Sequence, residues 1–99
     1  MANSNKQKQQ ETRHFFYVLE CADRSYYAGY TTEPERRLKE HNNGIGSKYT
    51  KSRRPVKMIH HASYLTRSEA TKAEAAFKKL TRKQKETKLI QWERGDEHA

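Results

Sequence analysis

Arg37 and His41 have types and a spacing that suggest chemistry, because they lie four positions apart in the segment PERRLKEHN. If that segment is helical, both side chains project from one helix face, one turn apart. A guanidinium presents a planar fork of donors that fits phosphate oxygens, and an imidazole exchanges protons near neutral pH. The same pattern is also typical of a solvated basic face that includes Arg36, or of a histidine favoured by the helix dipole.

A second candidate is the basic segment 42–55, NNGIGSKYTKSRRP, which we predict to be a long loop. It interleaves cations with an aromatic ring and hydroxyls, and groups of these types contact the backbone of nucleic acids. The predicted contacts are made by Lys48, Tyr49, Lys51, Arg53 and Arg54. The alternative is a solvated loop, which is the usual place of a run of charges.

The overall charge also indicates a polyanionic partner. The 99 residues carry a formal net charge of +9, and neutralising phosphates releases condensed counterions. The single cysteine, Cys21, excludes an intramolecular disulfide and a thiolate zinc cage. No apolar run approaches the roughly 20 residues of a membrane span, and the first residues lack the apolar core of a signal peptide. We therefore expect a cytoplasmic protein.

The elements that must position these residues belong to one domain, since the length fits one domain and not two. We predict a flexible basic arm at 1–13, a folded domain at 14–92 and a polar tail at 93–99. The arm and the tail are rich in polar residues and lack the apolar content of a packed core.

The folded domain begins with a predicted hairpin. Aromatic and β-branched residues at 14–21 and 26–31 predict two antiparallel strands, and the Asp-Arg-Ser segment at 23–25 favours a turn. Thr32-Glu33-Pro34-Glu35 has the pattern of a capping box with proline in the first turn. We predict that this box opens a helix that ends at about His41.

The second half of the chain predicts one further strand, at 56–64, and two helices. The helices open with capping boxes at Thr66-Arg67-Ser68-Glu69 and Thr81-Arg82-Lys83-Gln84. The order β-β-α-β-α-α indicates an α+β fold, with a small three-stranded antiparallel or mixed sheet flanked by helices. Adjacent strand residues point to opposite faces, so His60 and His61 are expected to be structural and not joint ligands of one metal.

The hairpin FFYVLECADRSYYAGYT resembles the two-strand signature of the GIY-YIG nucleases. Its triplets are Phe15-Phe16-Tyr17 and Tyr27-Ala28-Gly29, which keep both tyrosines and the last glycine of the family pattern. The segment ERRLKEHN is similar to the family's helix with an arginine and a histidine, and Ala73-Glu74-Ala75 stands where the family carries a metal-binding glutamate. The resemblance covers about 14–90 and is closest to the small stand-alone bacterial members of the YhbQ/YazA type.

The resemblance implies a GIY-YIG-like fold and a catalytic set of Tyr17, Tyr27, Arg37, His41 and Glu74. It implies that one tyrosine acts as general base or positions water while the other bonds a phosphate oxygen, and which does which stays open. Arg37 is implied to bind the scissile phosphate. The resemblance is the only reason to choose Arg37 over Arg36 for this role. His41 is implied to move a proton or to contact phosphate.

Glu74 is implied to be the ligand of a single divalent ion, Mg²⁺ or Mn²⁺. Mg²⁺ suits one carboxylate because it keeps several waters. In the predicted helix Glu74 lies about 80° from the centre of the apolar stripe, at the edge of the packed face. The alternative is a solvated glutamate that pairs with Lys78 one turn later.

The expected function is that of a divalent-metal-dependent endonuclease acting on DNA, including branched or damaged DNA, with low intrinsic sequence specificity. Family nucleases usually take their specificity from a second DNA-binding domain, for which 99 residues leave no room. We therefore expect weak selectivity or a targeting protein as partner. The alternative is a non-catalytic nucleic-acid-binding module that keeps the fold, and DNA and RNA are not distinguished.

Overall fold

The computed structural model of the protein describes residues 12–95. Residues 1–11, which make up most of the predicted arm, and residues 96–99 of the predicted tail lie outside the described residues. The last helix continues to Arg94, two residues into the segment predicted as a tail.

A three-stranded sheet lies at the centre of the fold. Its strands are β1 (His14–Glu20), β2 (Tyr26–Thr31) and β3 (Lys57–Tyr64), in the spatial order β2-β1-β3. Both outer strands run antiparallel to β1, which decides between the two sheet types left open by the sequence. The predicted fold class is confirmed.

The helices lie on both sides of this sheet. They are α1 (Pro34–Asn42), α2 (Lys48–Lys51), α3 (Arg67–Lys78) and α4 (Arg82–Arg94). Three of the four were predicted. None of the helices within residues 12–95 is long and apolar enough to cross a lipid bilayer.

The single-turn helix α2 corrects the prediction of a continuous loop over 42–55. Ser47 begins the helix, because its hydroxyl accepts a hydrogen bond from the backbone N–H of Thr50 at 3.1 Å. A helix of four residues is too short to leave a periodic pattern of apolar residues, so the sequence gives no helical signal there.

Two of the three predicted capping boxes are confirmed, at Thr66 and Thr81, where the side chain and the glutamate or glutamine three residues later bond reciprocally. The predicted box at Thr32 was wrong. The residue before α1 is Glu33, and its side chain makes no capping hydrogen bond. The hydroxyl of Thr31 instead accepts a hydrogen bond from the Glu33 backbone N–H at 3.0 Å. The side chain that bonds the backbone at the start of α1 is therefore Thr31, one residue before the predicted Thr32.

The core has two halves, because the central strand β1 is covered on both faces. Phe16 and Val18 pack on one face with Phe77 of α3 and Trp92 of α4. On the other face, a second cluster contains Tyr17, Leu19, Cys21 and Val56, with Leu38 of α1 packed against it. The two faces therefore carry different helices, and the predicted site residues of the hairpin and α1 belong to the second face.

Candidate active site

Tyr17 lies at the centre of the candidate site, on the sheet face covered by α1. Its hydroxyl oxygen is 2.9 Å from Nε2 of His41, and the two residues are 1% and 0% exposed. Gly29 lies opposite Tyr17 on β2. A Cβ atom at Gly29 would lie 2.5 Å from the Tyr17 hydroxyl oxygen, so the glycine makes room for the tyrosine ring.

Arg37 faces the same hydroxyl from α1, while its neighbour Arg36 does not. The Arg37 guanidinium donates to Glu40 at 2.8 Å and to the Gly46 carbonyl oxygen at 2.9 Å. The pKa of Arg37 is raised mainly by Glu40 and to a smaller extent by the Tyr17 hydroxyl. Arg36 is more exposed and pairs with Glu33 and Glu40. The geometry thus gives an independent reason to prefer Arg37.

Burial holds Tyr17 in its neutral form. Desolvation raises the pKa of Tyr17 to about 12, although the Arg37 guanidinium lowers it, and the charges of Tyr27 and Glu74 raise it further. A neutral phenol is a weak base, so Tyr17 can accept a proton only if it passes its own to a neighbour. The nearest acceptor is Nε2 of His41.

His41 is suited to receive that proton because it is itself neutral. Desolvation, together with the positive charge of Arg37, lowers the pKa of His41 to about 4, against a smaller opposite effect of Glu40. Nδ1 lies 2.8 Å from Oγ1 of Thr50. The buried position supports proton movement for His41 and not direct contact with phosphate.

Tyr27 is the third ring of the site, beside Tyr17 and His41. Its ring centroid lies 5.1 Å from that of His41 and 6.5 Å from that of Tyr17. Tyr49 stacks on the outer side, with a centroid distance of 5.9 Å. Tyr27 therefore lies between the buried pair and the surface of α2.

Glu74 projects from α3, which packs across β1 and the edge strand β2. Its side chain is 19% exposed, and its Oε2 lies 2.8 Å from Nζ of Lys78, which is the pair considered as the alternative to metal binding. Its charge nevertheless acts on Tyr17. Three of the predicted catalytic residues, the two tyrosines and His41, are thus in contact. The charges of the other two, Arg37 and Glu74, act on Tyr17.

The basic segment packs beside this cluster. The Arg53 guanidinium lies 3.8 Å above the Tyr49 ring and pairs with Asp23 at 3.1 Å, whereas Arg54 bonds the Lys51 carbonyl oxygen at 2.8 Å. Lys48 and Lys51 are exposed on α2. The five predicted nucleic-acid contacts therefore lie at the border of the site.

Three further residues of the site were missed from the sequence. Glu40 positions Arg37, Gly46 accepts from Arg37, and Thr50 bonds His41. The spacing of Glu40 three residues after Arg37 is a signal for a helical ion pair. The other two contacts bridge nine residues and leave no periodic signal.

With this geometry in place, the family assignment follows from comparison. Residues 13–95 match the GIY-YIG catalytic domain, and the chain belongs to this family of nucleases. A UPF0213 protein of Listeria monocytogenes serotype 4b is 65% identical over 85 residues, which cover 86% of this chain and 96% of that protein. The UPF0213 protein YazA of Bacillus subtilis is 59% identical over 73 residues, 74% of each chain. The predicted resemblance is confirmed.

A solved structure agrees with the fold. The solution NMR structure of the protein EF2693 from E. faecalis is 63% identical, superposes with a TM-score of 0.59, and is matched over 88% of this chain and 91% of its own. The fold described for residues 12–95 is therefore shared with an experimentally solved relative.

GIY-YIG nucleases generally use a divalent metal, and the donor set of this chain fits one bound through a single carboxylate. Within residues 12–95 no group of three or more His, Cys, Asp or Glu side chains could hold an ion. A closed protein cage is therefore absent from this part of the chain. Mg²⁺ does not need one, because it retains several waters and takes oxygens from substrate phosphates. The carboxylate of Glu74 is the candidate that the resemblance names, and it would be available to an ion only if its pair with Lys78 opened.

Proposed function

We propose that the protein is an endonuclease that hydrolyses phosphodiester bonds in DNA, with low intrinsic sequence specificity and with one Mg²⁺ or Mn²⁺ ion. The observation that carries this proposal is the buried hydrogen bond between the Tyr17 hydroxyl and Nε2 of His41. The charges of Arg37 and Glu74 both act on this hydroxyl. Phosphodiester hydrolysis requires a proton acceptor for the attacking water and positive charge at the phosphate. This cluster supplies both.

In the proposed reaction, the Tyr17 oxygen takes a proton from the attacking water while the Tyr17 proton passes to Nε2 of His41. Transfer over the 2.9 Å between these atoms leaves Tyr17 neutral and His41 positively charged. Arg37 contacts the scissile phosphate with donors not used by Glu40 and Gly46, since a guanidinium has five N–H groups. Tyr27 bonds a phosphate oxygen or the water. A divalent ion held by Glu74 would neutralise charge on the phosphate.

The binding surface proposed for DNA is the exposed side of α2 and the residues that follow it. Phosphate contacts made by this surface position a duplex without reading its sequence, which supports low intrinsic specificity. A groove lined by Tyr27, Tyr49, Lys78 and Lys85 lies next to it and continues the path of aromatic and basic groups. A targeting protein would supply any further selectivity.

Two pairs of variants test the enzyme with plasmid and branched DNA in the presence of Mg²⁺ or Mn²⁺. Glu74→Gln and Arg37→Ala are expected to reduce the cleavage rate by at least about 100-fold, because each removes charge stabilisation at the phosphate. Glu86→Gln and Arg36→Ala are matched controls, since Glu86 also forms an ion pair with a cation one turn away. The controls are expected to cleave like the wild type. Cleavage that survives Glu74→Gln and Arg37→Ala unchanged would refute the proposal.

A non-catalytic binding module is the second candidate, and one observation favours it. Both charged groups of the site are already paired, Glu74 with Lys78 and Arg37 with Glu40. This candidate predicts DNA binding that weakens steeply with salt and no cleavage with either ion. Turnover that depends on Glu74 would exclude it.

A further inference from the structure

We propose that Thr50 is a positioning residue that fixes the tautomer of His41 and so decides whether His41 can accept the Tyr17 proton. The inference rests on the proposed function insofar as Tyr17 and His41 form the proton-transfer pair. Its structural part, the tautomer, can be measured independently of any cleavage.

The contact between Thr50 and His41 is closed to solvent. Oγ1 of Thr50 lies 2.8 Å from Nδ1 of His41, and both residues are 0% exposed. A Cβ atom at Gly46 would collide with the His41 ring, so the ring is also packed from the side of the chain that leads into α2. The imidazole therefore has one protein partner at each nitrogen.

The direction of the hydrogen bonds between Tyr17, His41 and Thr50 follows from the partners that surround the Tyr17 hydroxyl. Among the described residues, Nε2 of His41 is the hydrogen-bond partner of the Tyr17 hydroxyl, and the Arg37 guanidinium, which also acts on this hydroxyl, carries no acceptor. The Tyr17 O–H therefore points toward Nε2 of His41. A neutral imidazole that accepts at Nε2 carries its proton on Nδ1. That Nδ1–H then donates to Oγ1 of Thr50.

Thr50 can accept this bond because Ser47 receives the Thr50 proton. Oγ1 of Thr50 lies 3.4 Å from the Ser47 carbonyl oxygen and 3.0 Å from the Ser47 hydroxyl. Among the described residues, no buried side-chain nitrogen or oxygen is left without a hydrogen-bond partner. The chain of hydrogen bonds thus runs from the tyrosine through the histidine and the threonine to Ser47, the residue that precedes α2.

The tautomer has a chemical consequence. If the proton of His41 were on Nε2, the ring would donate to Tyr17 and could not take its proton. With the proton on Nδ1, His41 accepts at Nε2, and the imidazolium that forms continues to donate to Thr50. Thr50 touches no reacting atom and acts only through His41.

Thr50→Val tests the inference, because valine keeps the branched shape and removes the hydroxyl. We expect kcat for a branched DNA with Mg²⁺ to fall about 10- to 100-fold with little change in KM, the pattern of a lost transition-state interaction. Thr50→Ser restores a hydroxyl at Cβ and is expected to stay within about threefold of the wild type. Thr87→Val on α4 is the matched control, since Thr87 bonds only a helix carbonyl, and should leave kcat unchanged.

The ¹⁵N chemical shifts of the His41 ring give a readout that a merely structural role would not change. We expect the wild type and Thr50→Ser to show the proton on Nδ1, and Thr50→Val to populate the Nε2–H tautomer. An Nε2–H tautomer in the wild type, or a Thr50→Val protein with wild-type kcat, would overturn the inference. Should the wild type not cleave DNA while the tautomer changes as expected, the proposed function fails and the positioning role of Thr50 stands.

Discussion

At the scale of single residues, the site depends on the absence of a side chain at Gly29. Gly44 and Gly95 have positive φ angles, and Gly29 does not, so the backbone at position 29 would tolerate another residue. There is no room for a larger residue, however, because a Cβ atom at position 29 would lie 2.5 Å from the Tyr17 hydroxyl oxygen. The last glycine of the GIY-YIG signature is therefore needed here for the packing of the first tyrosine and not for backbone freedom.

Gly29→Ala is predicted to displace the Tyr17 hydroxyl and to reduce the cleavage rate about 10- to 100-fold, since misplacing a catalytic group by about 1 Å has effects of this size. Gly95→Ala is the comparison, because nothing lies within 4 Å of its Cβ position. It should lower the free energy of unfolding by about 1 kcal/mol through its left-handed backbone and leave cleavage unchanged. Equal activity of the two variants would contradict this account of Gly29.

At the scale of elements, α2 connects the proposed DNA-binding surface to the buried pair of Tyr17 and His41. Tyr49 stacks on Tyr27 at the surface, while the next residue, Thr50, bonds His41 in the interior. One turn of helix therefore holds a proposed DNA contact and a proposed positioning residue at a fixed distance. Its stability depends on Ser47, whose hydroxyl caps it.

Ser47→Ala is predicted to lower the free energy of unfolding by about 1 kcal/mol, as expected for a lost N-cap, and also to slow cleavage, because Thr50 loses its support. Thr81→Ala removes the cap of α4 and should cost a similar amount of stability. Since α4 packs on the opposite face of the sheet, this control should cleave normally. Urea unfolding and cleavage assays of both variants separate the two effects, and a loss of cleavage in both would show that stability alone is responsible.

At the scale of the whole molecule, each face of the sheet packs around a histidine, of which His41 is buried and His60 is half-buried. His41 lies under α1, and His60 stacks on Trp92 at a centroid distance of 4.2 Å. Burial is the main cause that lowers the pKa of each to about 4, with Arg37 acting on His41 and His61 acting on His60. Both halves of the core are therefore sensitive to acid.

The stability of the protein is predicted to fall as the pH falls from 7 to 5. The folded state keeps both histidines neutral, whereas the unfolded chain binds protons below about pH 6.5. The stabilisation is therefore complete above the unfolded pKa and is lost as the pH falls toward 4. Each histidine accounts for about 2 kcal/mol between pH 7 and pH 5, at the order-of-magnitude level.

His60→Phe tests this prediction, because it keeps a ring against Trp92 and removes one titrating group. Urea unfolding at the two pH values should show about half of the wild-type pH dependence. A variant with the full wild-type dependence would show that His60 does not contribute, and a wild type with no dependence would contradict the argument for both histidines.

The sequence alone could predict those features that depend on neighbours along the chain. The hairpin, β3 and the caps at Thr66 and Thr81 follow from alternation and from contacts three residues apart. That Arg37 and His41 project from one helix face followed from their spacing of four residues, whereas the choice of Arg37 over Arg36 rested on the resemblance. The same local reasoning failed at Thr32, where the hydroxyl of the preceding residue, Thr31, binds the Glu33 backbone N–H.

Composition and spacing determined that the chain is basic and that its sheet and helices have this order. The candidate catalytic residues came from the resemblance of its motifs to the GIY-YIG family. The tertiary structure decided that Arg37 and not Arg36 faces Tyr17, and that Thr50 and Gly46 join the site. It also brings the Glu74 charge to Tyr17 from a helix whose apolar residues pack on the other face. The physical reason is that these relations depend on distances between segments far apart in sequence, which packing of the sheet sets and local patterns do not encode.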